Sequence, residues 1–439
     1  MSGRTPGRSV IGRPSSPGGG PEATDDGKLS DDTVTVTIDG VAAGGDGIGR
    51  GPDGRVVFVS GALPSEVVEA RVVKASKQFV RATVVDIVEP SPHRVAPPCP
   101  EVARGCGGCD WQHASPEYQP ALRRAIVADA LRRIGKFTVE GPDAVLIEPG
   151  PTLGATAYRT VLRAAVVDGR AGFRKERSHQ MVAAERCLVA HPLAEALLIE
   201  GRYPGAGEVR IVVGARTGER MVVVSGADPE AAARARVPDD VVVVSADAVR
   251  NGSLARDGRP PFVSEEIAGR RLRISAGSFF QCRPDGAEVL VDLVVGALGE
   301  WDGTLLDAYG GVGLFSAALL DGRSGRRTVL VESNPSSAAD ARHNLGAGST
   351  VVESLVERWT PEPIDVVVAD PSRRGLEVGG ADSLAATGAS VSVLVSCDPA
   401  SLARDARLLT DRGFTLEKVT VVDLFGHTSH VEAVSTFRR

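Results

Sequence analysis

An apolar strand that breaks into a glycine turn and then resumes as a helix constrains this chain more than any other stretch. It runs Leu305-Leu306-Asp307-Ala308-Tyr309-Gly310-Gly311-Val312-Gly313, with the helix expected over 314–320. Three further apolar runs, 328–332, 365–370 and 391–396, follow it and are separated by stretches of helical character. Such alternation is the pattern of βαβ units and predicts four parallel strands in a Rossmann-like α/β domain over 266–439. Open sheets of this kind bind ligands beyond the carboxyl ends of their strands, so the residues ending these runs are where chemistry is expected.

Two strand ends suggest a donor site. The glycines let backbone approach a nucleotide-like ligand, and Glu332 at the end of the next strand can accept both hydroxyls of a ribose. The spacing is not that of dinucleotide enzymes, whose third glycine falls here on Ser316. An Asp-x-x-x-Gly-x-Gly turn starting at Asp307 is instead typical of enzymes that use S-adenosylmethionine. A plain packing turn is the alternative.

The fourth run ends in Ser396-Cys397-Asp398-Pro399 and opens a helix. A thiol there, close to a helix N-terminus, is expected to have a lowered pKa and to act as a nucleophile. A small buried core residue is the commoner fate of a free cysteine. The third run ends in Asp370-Pro371-Ser372-Arg373-Arg374-Gly375-Leu376. Arg373 stands where amino-methylating enzymes place an aromatic that stacks on the base, so adenine-N6 chemistry is not expected. Nor does this turn hold a cysteine, as it does in RNA cytosine-C5 enzymes. Near the C-terminus, Phe425-Gly426-His427-Thr428-Ser429-His430-Val431-Glu432 sets a carboxylate behind two histidines, suited to a base, to metal binding or to structure.

With 439 residues the chain has room for two or three domains. Residues 1–30, rich in Gly, Pro, Ser and Arg, have little to bury and are expected to be a disordered tail. Over 31–92, short alternating segments at 34–38, 55–59, 67–73 and 82–88 are separated by Gly- and Pro-containing turns. That is the size of a small OB-like β-barrel, a shape often used for single-stranded nucleic acid. The rest, 93–265, is expected to be a central domain with an irregular cysteine-rich start, a helix over 118–134 and several β-leaning segments.

In that segment Cys99, Cys106 and Cys109 cluster around Gly107-Gly108, with Cys187 as a distant fourth. Four thiolates suit an iron–sulfur cluster or structural zinc. Zinc ribbons usually present two close pairs, so three clustered cysteines and one remote favour a cubane. Six cysteines without an apolar leader indicate metal or catalysis rather than a disulfide framework. No apolar run is long enough to span a bilayer, so a cytoplasmic protein with no membrane partner is expected. The net charge of −6 argues against wholesale polyanion binding. Two local basic strips remain, Arg71, Lys74, Lys77 and Arg81, and Arg159, Arg163, Arg170, Arg174, Lys175 and Arg177; each is either a solvated face or a set of phosphate contacts.

Taken in order, these residues resemble the RNA uracil-C5 methyltransferase family, which makes 5-methyluridine in rRNA and tRNA, over about residues 32–439. Gly61-Ala62-Leu63-Pro64-Ser65-Glu66 and Ser91-Pro92-His93-Arg94 look like signatures of its TRAM domain. The resemblance implies a TRAM barrel, a central α+β iron–sulfur domain and a class I S-adenosylmethionine-dependent methyltransferase domain. It implies a [4Fe–4S] cluster on Cys99, Cys106, Cys109 and Cys187, and an RNA-side segment around Tyr158-Arg159, Gly172-Phe173-Arg174 and Ser178-His179. Gln281, Tyr309, Gly311, Glu332 and Asp370 would hold the methyl donor. Cys397 would be the nucleophile and Glu432 the base, with Asp370 at the reacting centre. The RNA implied is large-subunit rRNA or, alternatively, tRNA, and no protein partner is implied. The chain departs from the family pattern at Cys282-Arg283, Gly310, Ser372, Asp398 and Gly426. A carboxylate at Asp398 is expected to raise the pKa of Cys397, which keeps a degenerate RNA-binding relative as an alternative.

Overall fold

The computed structural model describes residues 32–176, 178, 180–320 and 325–439. The expected tail over 1–30, and Arg177 and His179, lie outside the described residues. Strands β1 (Thr33–Val41), β2 (Gly47–Arg50), β3 (Val56–Ser60), β4 (Val67–Ala75) and β5 (Phe79–Glu89) close into a barrel in the order β1-β2-β3-β5-β4. Alternate residues point inward, so Val36, Ile38, Val57, Val59, Val68 and Ala70 fill the interior. The two TRAM-like segments meet in one buried ion pair. Glu66, fully buried, pairs with Arg94 and also accepts the backbone N–H of Leu63 at 2.8 Å and of Ser91 at 3.2 Å. Arg71, Lys74, Lys77 and Arg81 stand exposed along β4 and β5.

Beyond the barrel come α1 (Pro100–Ala103), α2 (Gln119–Ala130) with a π turn over Leu131–Gly135, and β6 (Leu146–Pro149). Next are β7 (Val161–Val167), β8 (Arg170–Arg174), β9 (Met181–Ala183), α3 (Pro192–Ile199), β10 (Glu208–Val213), β11 (Arg220–Ser225), α4 (Ala231–Arg234), β12 (Val242–Ser245) and α5 (Ala246–Arg250). Their strands form one sheet, β12-β11-β10-β7-β8-β9. A hairpin, β13 (Phe262–Ile267) and β14 (Arg270–Ser275), leads into the C-terminal part.

That part runs α6 (Pro284–Leu298), β15 (Gly303–Ala308), α7 (Leu314–Leu319), β16 (Arg326–Glu332), α8 (Pro335–Leu345), β17 (Ser349–Glu353) and β18 (Val366–Ala369). It ends with α9 (Glu377–Ala386), β19 (Val391–Ser396), α10 (Pro399–Thr410), β20 (Thr415–Val422) and β21 (Glu432–Arg438). The sheet order is β17-β16-β15-β18-β19-β21-β20-β6. The first five strands are parallel and β21 is antiparallel to both its neighbours. This is the expected Rossmann-like methyltransferase domain. The four expected parallel strands are β15, β16, β18 and β19, and β17 is a fifth.

Packing does not follow the expected 93–265 segment as one unit. β6 extends the methyltransferase sheet by pairing parallel with β20. The apolar face of α2 (Leu122, Ile126, Val127 and Ala130) is buried in the same core as Leu402, Ala403, Ala406 and Leu409 of α10. Each such large side chain contributes about 1.5–3 kcal/mol by leaving water, so α2 is fixed to the methyltransferase domain. A separate core under the six-stranded sheet, including Leu162, Val209, Ile211 and Val222, holds the central domain together.

Candidate active site

The strand order reverses between β15 and β18, the topological switch where open sheets bind ligands. Residue pairing brings the candidates together there. Ala308 pairs with Ala369 and Ala369 with Leu394, so Tyr309 and Asp370 leave adjacent strands on the same side. Ser396 pairs with Ala433 across antiparallel β19 and β21, which sets Cys397 and Glu432 side by side at that edge.

On the donor side, Asp307 is fully buried and accepts the backbone N–H of Ser316 at 3.0 Å and its hydroxyl at 2.5 Å. Ser316, which replaces the third glycine of dinucleotide enzymes, thereby ties the strand end to α7. Burial pushes Asp307 up to about 6. Glu332 accepts the backbone N–H of Gly311 at 3.0 Å and of Asn334 at 2.6 Å. A carboxylate so tied keeps a lone pair on each oxygen for two further donors, such as ribose hydroxyls. At Gly311 an added Cβ would meet nothing within 4 Å, so the loop borders open space. At Gly310 it would lie 2.5 Å from Leu330 Cγ. A side chain at Gly310 would therefore require Leu330 to shift. Tyr309 adopts φ of 59°, a left-handed conformation costly for an aromatic residue.

Between the donor loop and the thiol, Gln281 donates its side-chain amide to Asp370 at 3.3 Å. Burial and the nearby Asp307 carboxylate push Asp370 up to about 7. Glu432 is only 2% exposed and its Oε1 has no hydrogen-bond partner among the described residues. Burial first, and then Asp370, hold it well above the usual carboxylate range, with Arg373 opposing.

Two expectations about Cys397 are corrected. Its pKa is not lowered by the helix but pushed up to about 12, by burial first and then by Glu432 and Asp370, while Arg373 lowers it. Asp398 is not among the groups that raise it. Its side chain turns away to cap α10, accepting the backbone N–H of Ala400 at 3.0 Å and of Ser401 at 2.8 Å. The acidic residue after the thiol is thus spent as an N-cap.

The four remaining candidates, Cys99, Cys106, Cys109 and Cys187, line one cavity of about 140 Å³. Burial, followed by repulsion from the other thiols, pushes Cys109 up to about 12. Burial likewise takes Cys187 up to about 11 and raises Cys106. Among the described residues no three Cys, His, Asp or Glu side chains stand in a ready-made ligating arrangement. Four thiols around one cavity are a donor set that fits a metal or cluster. Gly107 makes this loop possible, because its N–H bonds Arg174 O at 3.0 Å and an added Cβ would strike the Glu176 backbone at 2.8 Å. A second cavity of about 790 Å³ runs from Cys397, Arg373 and His430 past this loop to Gly45 and Thr83 of the barrel. Tyr158, expected on the RNA side, is instead buried and donates its hydroxyl to Gly426 O at 3.0 Å.

Known proteins match this architecture. The sequence model of the TRAM domain matches residues 31–85. An uncharacterised RNA methyltransferase of Streptomyces coelicolor is 38% identical over 404 residues, covering 87% of this chain and 88% of that protein. The chain belongs to this RNA methyltransferase family. Another member, from Gloeobacter violaceus, is 33% identical over 98% of this chain and 100% of its own length. Among solved structures, the tRNA (uracil-54, C5)-methyltransferase of Pyrococcus abyssi in complex with S-adenosyl-L-homocysteine has a TM-score of 0.70 at 23% identity. It covers 92% of this chain and 100% of its own and shares the fold. This RNA methyltransferase has, among its described residues, no helix long and apolar enough to cross a membrane.

The sequence did not single out Trp111, Gln119, Arg123 or Arg283 as parts of the site. Trp111 Nε1 donates to Gly45 O of the barrel at 3.1 Å, while its backbone N–H donates to His427 O at 3.0 Å. Arg123 is fully buried. The signal lay in its spacing: 119, 122, 123, 126, 127 and 130 share one helical face, so a charge at 123 falls on the core side.

Proposed function

We propose that this RNA methyltransferase methylates C5 of a uridine through a transient covalent bond from Cys397 to C6. What supports the reading most is the cross-strand adjacency of Cys397 and Glu432 next to Asp370, at the sheet edge that also carries the donor loop. Uracil C5 is too weak a nucleophile to accept a methyl group unaided. Bound S-adenosylmethionine supplies an electrophilic methyl on its sulfonium. The Cys397 thiolate adds to C6 and leaves electron density at C5, which takes up the methyl. Glu432 then removes the C5 proton; that electron pair forms the C5–C6 double bond as the C6–S bond breaks and the thiolate departs. Asp370, held above the usual carboxylate range by burial and the Asp307 carboxylate, can in its neutral form donate a hydrogen bond to the base or its developing enolate. Gln281, Tyr309, Gly311, Glu332 and Asp370 form the donor side. The uridine must be unpaired or flipped out to reach Cys397, and large-subunit rRNA is the favoured substrate, tRNA the alternative, so the enzyme would act in the cytoplasm.

Cys99, Cys106, Cys109 and Cys187 are proposed to hold a [4Fe–4S] cluster, which would relieve the repulsion that, after burial, raises Cys106, Cys109 and Cys187. The test of the chemistry is Glu432→Gln with S-adenosylmethionine and total RNA from cells lacking the gene. Methyl transfer should proceed and leave a protein–RNA adduct that survives a denaturing gel. Normal turnover, or no adduct at all, would place the base elsewhere.

A further inference from the structure

We infer that Arg123 is a positioning residue that aims the Glu432 carboxylate, an inference that rests on Glu432 being the base. The buried Oε1 of Glu432 has no hydrogen-bond partner among the described residues, so the backbone that carries the side chain sets its direction. From Glu432 onward β21 is held by its pairing with β19 and β20. That backbone arrives through residues 423–431, a segment without regular structure that joins β20 to β21 and is buried over most of its length. Buried irregular backbone has carbonyls that need partners. Phe425 O accepts the Thr428 N–H at 3.1 Å and its hydroxyl at 2.9 Å within the segment, and further partners come from outside it.

Arg123, on α2, bonds three of these carbonyls. Its Nη2 donates to Phe425 O at 2.7 Å and to Thr428 O at 2.5 Å, and its Nε to His430 O at 3.0 Å. Its Nη1 pairs with the Asp423 carboxylate at the start of the segment. Three more are held by Arg283 on Leu424 O at 3.2 Å, Tyr158 on Gly426 O at 3.0 Å and the Trp111 backbone on His427 O at 3.0 Å. Only a planar fork of five donors can hold one carboxylate and three carbonyls at once. The last carbonyl it grips lies two residues before Glu432. Because α2 is packed into the α10 core, the clamp has a rigid base.

The step at stake is removal of the C5 proton, after methyl transfer is complete. Loss of the clamp should therefore slow resolution of the adduct and spare its formation. Arg123→Met is compared with wild type and Glu432→Gln on total RNA from cells lacking the gene. Single-turnover methyl transfer, adduct on denaturing gels and S-adenosylmethionine affinity are measured together. The expected result for Arg123→Met is methyl transfer within about threefold of wild type, unchanged donor affinity, and adduct decay slowed about 10- to 100-fold, a fraction of what a whole general base contributes. A variant with intact donor affinity that resolves its adduct at the wild-type rate overturns the inference. If Arg123→Met loses donor affinity through misfolding, Arg123→Lys decides. It keeps the charge opposite Asp423 but has a single nitrogen, so adduct should still accumulate, and normal resolution by it overturns the inference equally. Absence of adduct with Glu432→Gln would instead remove the base assignment, and the role of Arg123 with it.

Discussion

Two groups of thiols in this protein are pushed toward the same high pKa by the same first cause, burial, yet they sit among opposite neighbours. Cys397 is at about 12 with two carboxylates, Glu432 and Asp370, against it and the Arg373 guanidinium in its favour. Cys109 at about 12 and Cys187 at about 11 are raised, after burial, by other cysteines. The first environment can change its charge within itself: a proton leaving the thiol has buried carboxylates nearby, and a cation stands at the groove side. The second cannot, because every neighbouring thiol worsens the problem for the next. Mutual repulsion of that kind is relieved by a shared cation. The proposed nucleophile and the proposed ligand set therefore differ in their surroundings although their shifts are alike.

The largest effect that would break this comparison is on turnover. Cys397→Ala should lower 5-methyluridine formation by about 10⁴-fold or more, the scale on which loss of a nucleophile is felt in covalent enzymes. S-adenosylmethionine affinity, measured by calorimetry, should stay within about twofold, since uniform binding is separate from the chemical step. Residual turnover near wild type would make Cys397 an ordinary buried thiol. Cys106→Ser should do the reverse. The purified protein should lose its visible absorbance and most of its iron by elemental analysis, and bind RNA more weakly, while donor affinity persists. Wild-type protein that contains zinc and no iron would overturn the cluster assignment and leave the uracil chemistry standing.

The parts of this architecture that rest on local signals were legible in the sequence. The Asp307–Gly313 turn and the Asp370 and Cys397 strand ends are short motifs at the ends of apolar runs, whereas Glu432 opens β21 and was singled out as a base only by the family resemblance; strand pairing brings them to one edge. β17 escaped notice because Ser349–Glu353 is half-exposed at the sheet edge and has no continuous apolar run. β6 has four residues, none buried, and it joins the sheet only because β20 leaves an open edge beside it. The charge effects at Cys397 were read with the wrong partner. Sequence neighbours suggested Asp398, but a side-chain cap on α10 removes it, and the carboxylates that matter come from β18 and β21. Arg123 was hidden for a similar reason: its partners lie about 300 positions away.

The smallest predicted effect concerns Arg373, the only cation among the groups that shift Cys397. A guanidinium stabilises the thiolate, so its removal raises the thiol pKa further and lowers the thiolate fraction at any pH below that value. Iodoacetamide alkylation, followed by mass spectrometry of the Cys397 peptide across pH 7–10, should therefore slow in Arg373→Met. Arg373 is exposed, so solvent screens it and the change should be about 3- to 10-fold, with one pKa unit being tenfold. Added salt should shrink the difference between wild type and variant, because the screening length falls from about 10 Å at 0.1 M to about 3 Å at 1 M. Thermal melting of the two proteins serves as the control for the fold. Slower alkylation of Cys397 at an unchanged melting temperature would confirm that this thiol is tuned by charge as well as burial. An unchanged rate would leave the two carboxylates as the charges that tune it.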